Sequence, residues 1–526
     1  MTHAHAIVWM DSREAHTFRF SPDDVEKQRV FAHSPFRKVH HKAGAIGAAM
    51  EALRVVARRG RSTFIGLEAA LGLSYTTRND ESTVCHFCPN ECKRTFVDTK
   101  RPDGSTSRYI AGFSCEKGTV EDEAALKELT RKRAQLRKAW PNLVEWEAKE
   151  LFRHRLDAAP QPAADSWMDT VEVSVDRWHR AERRPVRRHF QRSGKDLSQF
   201  RVGIPKVLNV WSIAPFLRTY LEAVGIERQN VVFSEDTSEE MWADGGKYGS
   251  IDPCFPSKVG QAHIHQLLVH EHARKPLNAL WLPAITHVPS PLVNTMDHAS
   301  CPIVQGVSDV MKAAFTKEKD WFAERQVTFV GNPMAFTEPH LMQDQLYQAW
   351  GAVLGITRDE SDFAANEAWR ALEDFQAERE RRGREILEAC EREDRIALLM
   401  IGRPYHSDPG LNHEVLQEFQ ALGYPIVSMN AIPRDRAWLE RFFRADLDAG
   451  LKDIFDINDV WPENYSANSA FKVWCARFAA RHPNVAVLDL SSFKCGHDAP
   501  IYATIDQILQ STKTPFSALH EIDANK

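Results

Sequence analysis

The nine cysteines of this 526-residue chain have the most chemistry to offer, and they fall into three kinds. Four sit together as Cys85-x2-Cys88-x3-Cys92 followed by Cys115. Four thiolates, three of them on one tight loop, can surround a single metal centre, and the spacing admits either a structural zinc ion or a four-iron cluster. Gly112 and Gly118 flank Cys115 and would let backbone amides turn toward the sulfurs of either. Cys254, Cys301 and Cys495 are isolated in sequence, and each follows or closes a loop just before a predicted helix. A cysteine at a helix N-terminus sits in the positive end of the dipole, which favours thiolate. Were these loops to converge at the carboxyl ends of strands in an open sheet, three thiolates would hold a cluster with one iron open, able to act as a Lewis acid on oxygen. Three unrelated buried thiols are the plainer reading. Cys390 and Cys475 lie inside apolar helical patterns and read as core residues.

A second polar group follows the apolar run 396–401: Arg403-Pro-Tyr-His406, then Asp408, Asn412 and His413. A loop at the edge of a sheet with this content can bind or move protons, and Arg403, His406 and His413 are the candidate catalytic residues. The alternative is that Asp408 and Asn412 only cap the next helix. Lys258 and His263 lie one and two turns beyond Cys254, placed to balance charge there or to face solvent. The other histidines, His287 and His298 included, show no ligand spacing.

These residues need elements to position them. From residue 201 onward, short apolar runs at 202–205, 231–234, 280–283 and 327–330 alternate with helical patterns at 214–224, 256–270 and 302–315. A long charged helix at about 366–393 leads to a second series: strands at 396–401, 426–429 and 485–490, helices at 412–422 and 501–509. Such alternation predicts an α/β fold of two parallel-sheet units in tandem. Upstream, two strands at 6–10 and 16–20 and a small-residue helix at 45–57 precede the cysteine loop, whose Pro102-Asp103-Gly104 is a turn signal between short strands. Residues 121–200 are helical and charged, then strongly basic between Arg177 and Lys195, either a solvated connector or a docking strip for an anionic partner. The domain reading is 1–43 an N-terminal segment, 44–125 the four-cysteine module, 126–200 a linker, 201–345 the first α/β domain, 346–394 a connecting helix and 395–526 the second.

Composition bounds the rest. Hydrophobic residues at 43% and charged residues at 26% are those of a folded globular chain, and 67 basic against 72 acidic residues leave no global excess that would announce nucleic acid. No apolar stretch approaches membrane-span length and no signal sequence opens the chain, so the expectation is a cytoplasmic protein without membrane contact. An odd cysteine count suits thiolate ligands in a reducing compartment better than a disulfide framework. Walker-type and G-x-G-x-x-G turns are absent.

The cysteine contexts, taken with their neighbours, resemble the large iron-sulfur proteins related to 2-hydroxyacyl-CoA dehydratases and their activases. The phrases that carry this are Val202-Gly-Ile-Pro-Lys-Val-Leu-Asn209, Asp252-Pro-Cys-Phe-Pro-Ser-Lys258, Cys301-Pro-Ile-Val-Gln-Gly306, Gly402-Arg-Pro-Tyr-His406 with Asp408 and Asn412, and Phe493-Lys-Cys-Gly-His-Asp498. Cys85 to Cys115 resembles the cysteine loop of the fused activase-dehydratase proteins, and Gly44-Ala-Ile-Gly-Ala-Ala-Met50 the close of their ATPase domain. The resemblance implies tandem Rossmann-like domains and a [4Fe–4S] or double-cubane type cluster held by Cys254, Cys301 and Cys495; zinc or a further cluster on Cys85, Cys88, Cys92 and Cys115 rests on their spacing. It also implies a separate activase ATPase as electron donor, an acyl-CoA substrate and a homodimer, while the balanced charge argues against nucleic acid. The activase's own nucleotide motifs are missing, so this chain is not expected to hydrolyse ATP. Residues 1–43, through Ala6-Ile-Val-Trp-Met-Asp-Ser-Arg-Glu-Ala15 and Arg37-Lys-Val-His-His-Lys-Ala-Gly44, instead resemble the start of a bacterial translational-machinery family, which implies a junction near Gly44. The alternative outside enzymology is a zinc-stabilised scaffold that docks a partner through the basic strip.

Overall fold

The computed structural model describes residues 5–10, 14–21, 24–31, 56, 60, 72, 74–87, 91–113, 116–174, 181–248 and 254–523. It divides into two units, Met1–Lys132 and Arg133–Lys526. In the first, strands β1 (His5–Met10), β2 (Glu14–Ser21) and β3 (Asp24–Phe31) form an antiparallel meander, one strand more than the sequence pattern suggests. A second antiparallel sheet contains β4 (Ser74–Arg78), β5 (Thr95–Lys100) and β6 (Thr106–Ala111). The turn read at Pro102-Asp103-Gly104 joins β5 to β6, with Gly104 at φ 84° and the Asp103 carboxylate accepting from the Ser105 amide. The expected helix at 45–57 lies almost wholly outside the described residues.

Near its start the second unit contains helix α1 (Leu143–Glu150) and an antiparallel ribbon, β7 (Ser166–Ser174) with β8 (Ala181–His189). The basic strip is therefore largely strand. Its distal end is tied into the unit: Arg188 pairs with Asp359 at 2.7 Å, the Gln191 amide donates to the same carboxylate, and Phe190 meets Phe363 edge-on. Charge density alone suggested solvent, but Asp359 and Glu360, at the start of a long helix, supply local partners.

Two all-parallel sheets follow, as the α/β alternation predicts. The first has order β10-β9-β11-β13, from β9 (Val202–Ile204), β10 (Val231–Phe233), β11 (Ala279–Trp281) and β13 (Thr328–Val330). Its crossovers are α2 (Val210–Ala223), then α3 (Glu239–Gly245) with α4 (Phe255–His265), then α5 (Pro302–Thr316). A small parallel pair, β12 (Ala284–His287) and β14 (Pro333–Ala335), extends this region past β11 and β13. Helix α6 (Pro339–Leu354) and the 35-residue α7 (Arg358–Arg392) then lead to the second sheet. That sheet has order β16-β15-β17-β18, from β15 (Ala397–Ile401), β16 (Ile426–Ser428), β17 (Val485–Ser492) and β18 (Phe516–Ile522). Its helices include α8 (Arg436–Asp448), α9 (Ala467–Arg481) and α10 (Tyr502–Ser511).

The strand runs lack polar alternation because helices cover both faces, and all five residues of β15 are buried. Helix α7 starts with a Thr357–Glu360 capping box, which explains why it begins well before the predicted 366. It packs first on the α2 region, through Phe216 and Trp369, and then on the second sheet, where Gly383 lies under the Ala431 carbonyl. In both sheets the strand order reverses beside the first strand, so the crevices for ligands lie at the carboxyl ends of β9 and β11 and of β15 and β17. No described helix is long and apolar enough to cross a membrane.

Candidate functional site

The three isolated cysteines lie on the segments that follow β10, β12 and β17. Cys254 is the N-cap of α4 and Cys301 the N-cap of α5, each followed by a proline in the first turn. Cys495 lies on the loop after β17, in a turn where its amide donates to Ser492 O and its carbonyl accepts from the Asp498 and Ala499 amides. Backbone hydrogen bonds tie the three loops together. The Phe255 amide reaches Phe493 O, and Ala299, two residues before Cys301, exchanges hydrogen bonds with Tyr465 and Ala467 ahead of and within α9. Ser466 Oγ then meets His497 Nδ1 at 3.1 Å, two residues after Cys495.

The thiols sense one another. Burial pushes the Cys254 thiol up to about 12, the Ser257 amide opposes that shift, and Cys301 and Cys495 add to it. Burial likewise raises Cys301, against Arg403 and the amides of Val304 and Ile303. The helix N-termini do aim amides at both sulfurs, as the sequence position predicts, but burial outweighs them, so the expected net lowering is reversed for these two. One nearby cation opposes burial at both thiols.

Arg403 is that cation on this chain. It lies at the exit of β15, buried, with Nε donating to Asp498 Oδ1 at 2.9 Å and Nη2 to Ser469 Oγ at 2.6 Å. Burial disfavours its charge, yet Asp498, Cys495 and Cys301 together keep it firmly protonated. Asp498 also meets Lys472 at 3.2 Å, and Lys472, only 1% exposed, meets Asp489 at 2.6 Å. Burial would raise the Asp498 carboxyl, but Arg403 and Lys472 overcome it and hold the group well below the usual carboxylate range. Two cations and two carboxylates thus balance in a buried row behind the cysteines, with Tyr405 buried among them.

The other two candidates of the Arg403 loop differ. His406 is fully buried; the Arg403 amide donates to Nδ1 at 3.0 Å, and Nε2 meets Ser492 Oγ at 3.0 Å. Burial, with Lys472 nearby, depresses it to about 3. With both ring nitrogens engaged, His406 is a neutral brace that sets the Arg403 turn. His413 stands apart at φ 51°, with Nε2 donating to Asp523 O and Nδ1 without a hydrogen-bond partner. With Thr237, Trp242, Phe255 and Gly410 it lines a cleft of about 450 Å³.

A second chain of hydrogen bonds joins the lobes. The Lys206 amide donates to Ser234 Oγ, Ser234 meets His263 Nδ1 at 2.8 Å, His263 Nε2 meets Thr237 Oγ1 at 2.9 Å, and Thr237 donates to Asp408 Oδ2 at 2.6 Å. His263 is therefore a buried relay residue, held near 3 by burial and Lys206, and neither faces solvent nor balances charge. Lys258 lies over the Trp242 ring. Sequence reasoning passed over Lys472, Asp489 and Ser469; the one signal was a lysine inside the otherwise apolar run of α9.

In the first unit, Cys85 is buried and its amide donates to Cys92 O at 3.0 Å, which brings these two positions of the cysteine loop together. Buried Arg94 braces it, donating to the carbonyls of Thr83, Gly118 and Val120. Cys88 and Cys115 lie outside the described residues. Cys390 and Cys475 are buried in α7 and α9, as their patterns predict.

Residues 201–432 match the family model described as CoA enzyme activase uncharacterised domain (DUF2229). The matched span, less than half of the chain, holds Cys254, Cys301 and the loop from Arg403 to His413, and stops before Cys495. That span is similar to a CoA enzyme activase domain. No curated protein matches the sequence. The resemblance of residues 1–43 to a translational-machinery family finds no support in these comparisons.

Proposed function

We propose that this chain is an iron-sulfur component of the 2-hydroxyacyl-CoA dehydratase or ATP-dependent reductase type, built on two Rossmann-like units. Cys254, Cys301 and Cys495 would hold an open [4Fe–4S] or double-cubane type cluster. What supports this reading is that three sequence-distant thiols act electrostatically on one another and on one buried guanidinium. The donor set fits: three sulfurs, amides from Ser257, Ile303 and Val304 aimed at two of them, and a cation to offset anionic sulfur. When bound, such a cluster supplies one low-potential electron and an iron site open to oxygen ligands. Arg403 would hold charge beside it, His406 would fix the Arg403 turn, and the His413 cleft would admit an acyl-CoA. A separate cytoplasmic activase ATPase would supply the electron, and the Cys85, Cys88, Cys92, Cys115 module would bind zinc or a second cluster, in a homodimer.

The test is anaerobic purification with iron, sulfide and zinc analysis of wild type and of a Cys254→Ser, Cys301→Ser, Cys495→Ser variant. Wild type is expected to carry iron and sulfide that the triple variant loses. Zinc without iron in wild type, or unchanged iron in the variant, overturns the assignment.

A further inference from the structure

The helix that Cys254 caps does not continue regularly to its end. Phe255–His265 is α-helical, but Gln266–Glu271 is π-helical, with His265 and His270 at either side of the change. In a regular α-helix two residues five apart point about 140° away from each other. The i→i+5 ladder of a π segment turns them toward one side, and such segments occur often at functional sites. Here the two imidazoles lie 5.9 Å apart by ring centroids.

Helix α3 brings a carboxylate to the same place. Gly245 lies so close to α4 that a Cβ would come within 2.6 Å of Ala262 Cα, and this contact sets the preceding residue, Asp244, over the histidine pair. Asp244 Oδ2 is 2.7 Å from His270 Nε2 and 3.5 Å from His265 Nδ1, and one ligand atom from each residue lies within 4.8 Å of the others. A tetrahedral zinc ion with bonds of about 2.0–2.1 Å needs ligand atoms roughly 3.3 Å apart, a value these separations bracket.

Three further features point to a ligand. The cleft around these residues, about 360 Å³, is also lined by Glu235 and Glu240, and Glu240 lies one turn before Asp244 on α3. Gln266, only 6% exposed, lines the same cleft, and its Oε1 has no hydrogen-bond partner. Finally, His265 is oriented by stacking on Tyr248 at 4.5 Å and 13°, the kind of support a ligating imidazole requires.

We propose that Asp244, His265 and His270 form a site for one divalent transition-metal ion of the zinc class, with Glu240 or water in the fourth position. Imidazole with carboxylate selects zinc, nickel or cobalt over magnesium or calcium. The site is separate from the cysteines and does not depend on the cluster reading.

Zn²⁺ titration by calorimetry on the full chain tests it, comparing wild type with His270→Gln and with Asp244→Asn. Both side chains are surface-accessible, 59% and 47% exposed, so both variants are expected to fold, and circular dichroism checks this. The cysteine sites are common to all three proteins, so the difference isolates this one. Wild type is expected to bind one equivalent more than either variant. With Co²⁺, the wild-type minus variant difference spectrum should show weak ligand-field bands without sulfur charge-transfer absorption. Equal stoichiometry in wild type and either folded variant, or a sulfur-type difference spectrum, overturns the proposal and leaves His270 and Asp244 as a surface ion pair only.

Discussion

Arg403 Nε donates to Asp498 Oδ1 at 2.9 Å, joining the exit of β15 to the exit of β17 across the crevice where Cys495 lies. Both groups are buried, and the pair belongs to a row that continues through Lys472 to Asp489. Removing one member of a buried pair strands its partner's charge, which costs about 3–5 kcal/mol. Asp498→Asn should therefore lower the unfolding free energy measured in urea by about that amount. Adding Lys472→Met to Asp498→Asn restores the balance of one cation to one carboxylate, so the double variant should lose less than the sum of the singles. Strict additivity would show that the row is not energetically continuous.

Asp408 gives a pH dependence of opposite sign to the usual carboxylate. Burial raises its pKa from 3.8 to about 6, against the hydrogen bonds from Thr237 and Gly410. The folded state thus binds this proton more tightly than the unfolded state. The contribution to stability is full below about pH 4 and is lost as pH rises through about 6, a change of roughly 3 kcal/mol. Asp498, held low, acts in the other direction and only in more acidic solution. Wild type should lose stability relative to Asp408→Asn between pH 4 and pH 7 in parallel urea melts. A constant difference across that window would place the Asp408 titration elsewhere.

How much of this was legible in the sequence depends on what each residue answers to. The contexts of Cys254 and Cys301 were readable because a helix start with proline has a local signature, and the structure puts both at N-caps. The direction of their titration was not, since burial is a sum over distant elements and it overrode the local dipole. Lys472 was hidden because its partners, Asp489 and Asp498, come from another strand and loop. The helical pattern at 256–270 gave the helix but not its change of hydrogen-bond register after His265, which no residue type marks. The β7–β8 ribbon was missed because a run of arginines masks strand alternation, and its anchor, Asp359, is far away in sequence.

Gly383 sits in the middle of α7, where alanine would ordinarily stabilise the helix by about 1 kcal/mol. Here an added Cβ would fall 1.9 Å from the Ala431 carbonyl oxygen, a backbone atom that no side-chain rotation can remove. Overpacking of this kind costs about 1–3 kcal/mol, so the contact should outweigh the propensity. Gly383→Ala is expected to lower the thermal midpoint. A stabilised variant would mean that α7 and the turn after β16 approach less closely than the structure shows.

Gly410 poses the same question at the junction of the lobes. Its Cβ would lie 2.0 Å from the Thr237 carbonyl oxygen and 2.7 Å from Thr237 Cβ, so Gly410→Ala must push apart the loop after β15 and the loop after β10. The first bond to go is Thr237 Oγ1 to Asp408 Oδ2, the final link of the relay that begins at Ser234. Two readouts should move together. Amide exchange at 234–238 and 408–414 should accelerate, because the two segments protect each other. The pH dependence assigned to Asp408 should shrink, because separation admits water and relieves the burial that raises its pKa. Faster exchange with an unchanged pH profile would show that Asp408 is buried by its own loop and not by the lobe contact. Neither effect would show that the lobes are held at their spacing by the Cys254 and Cys495 loops alone.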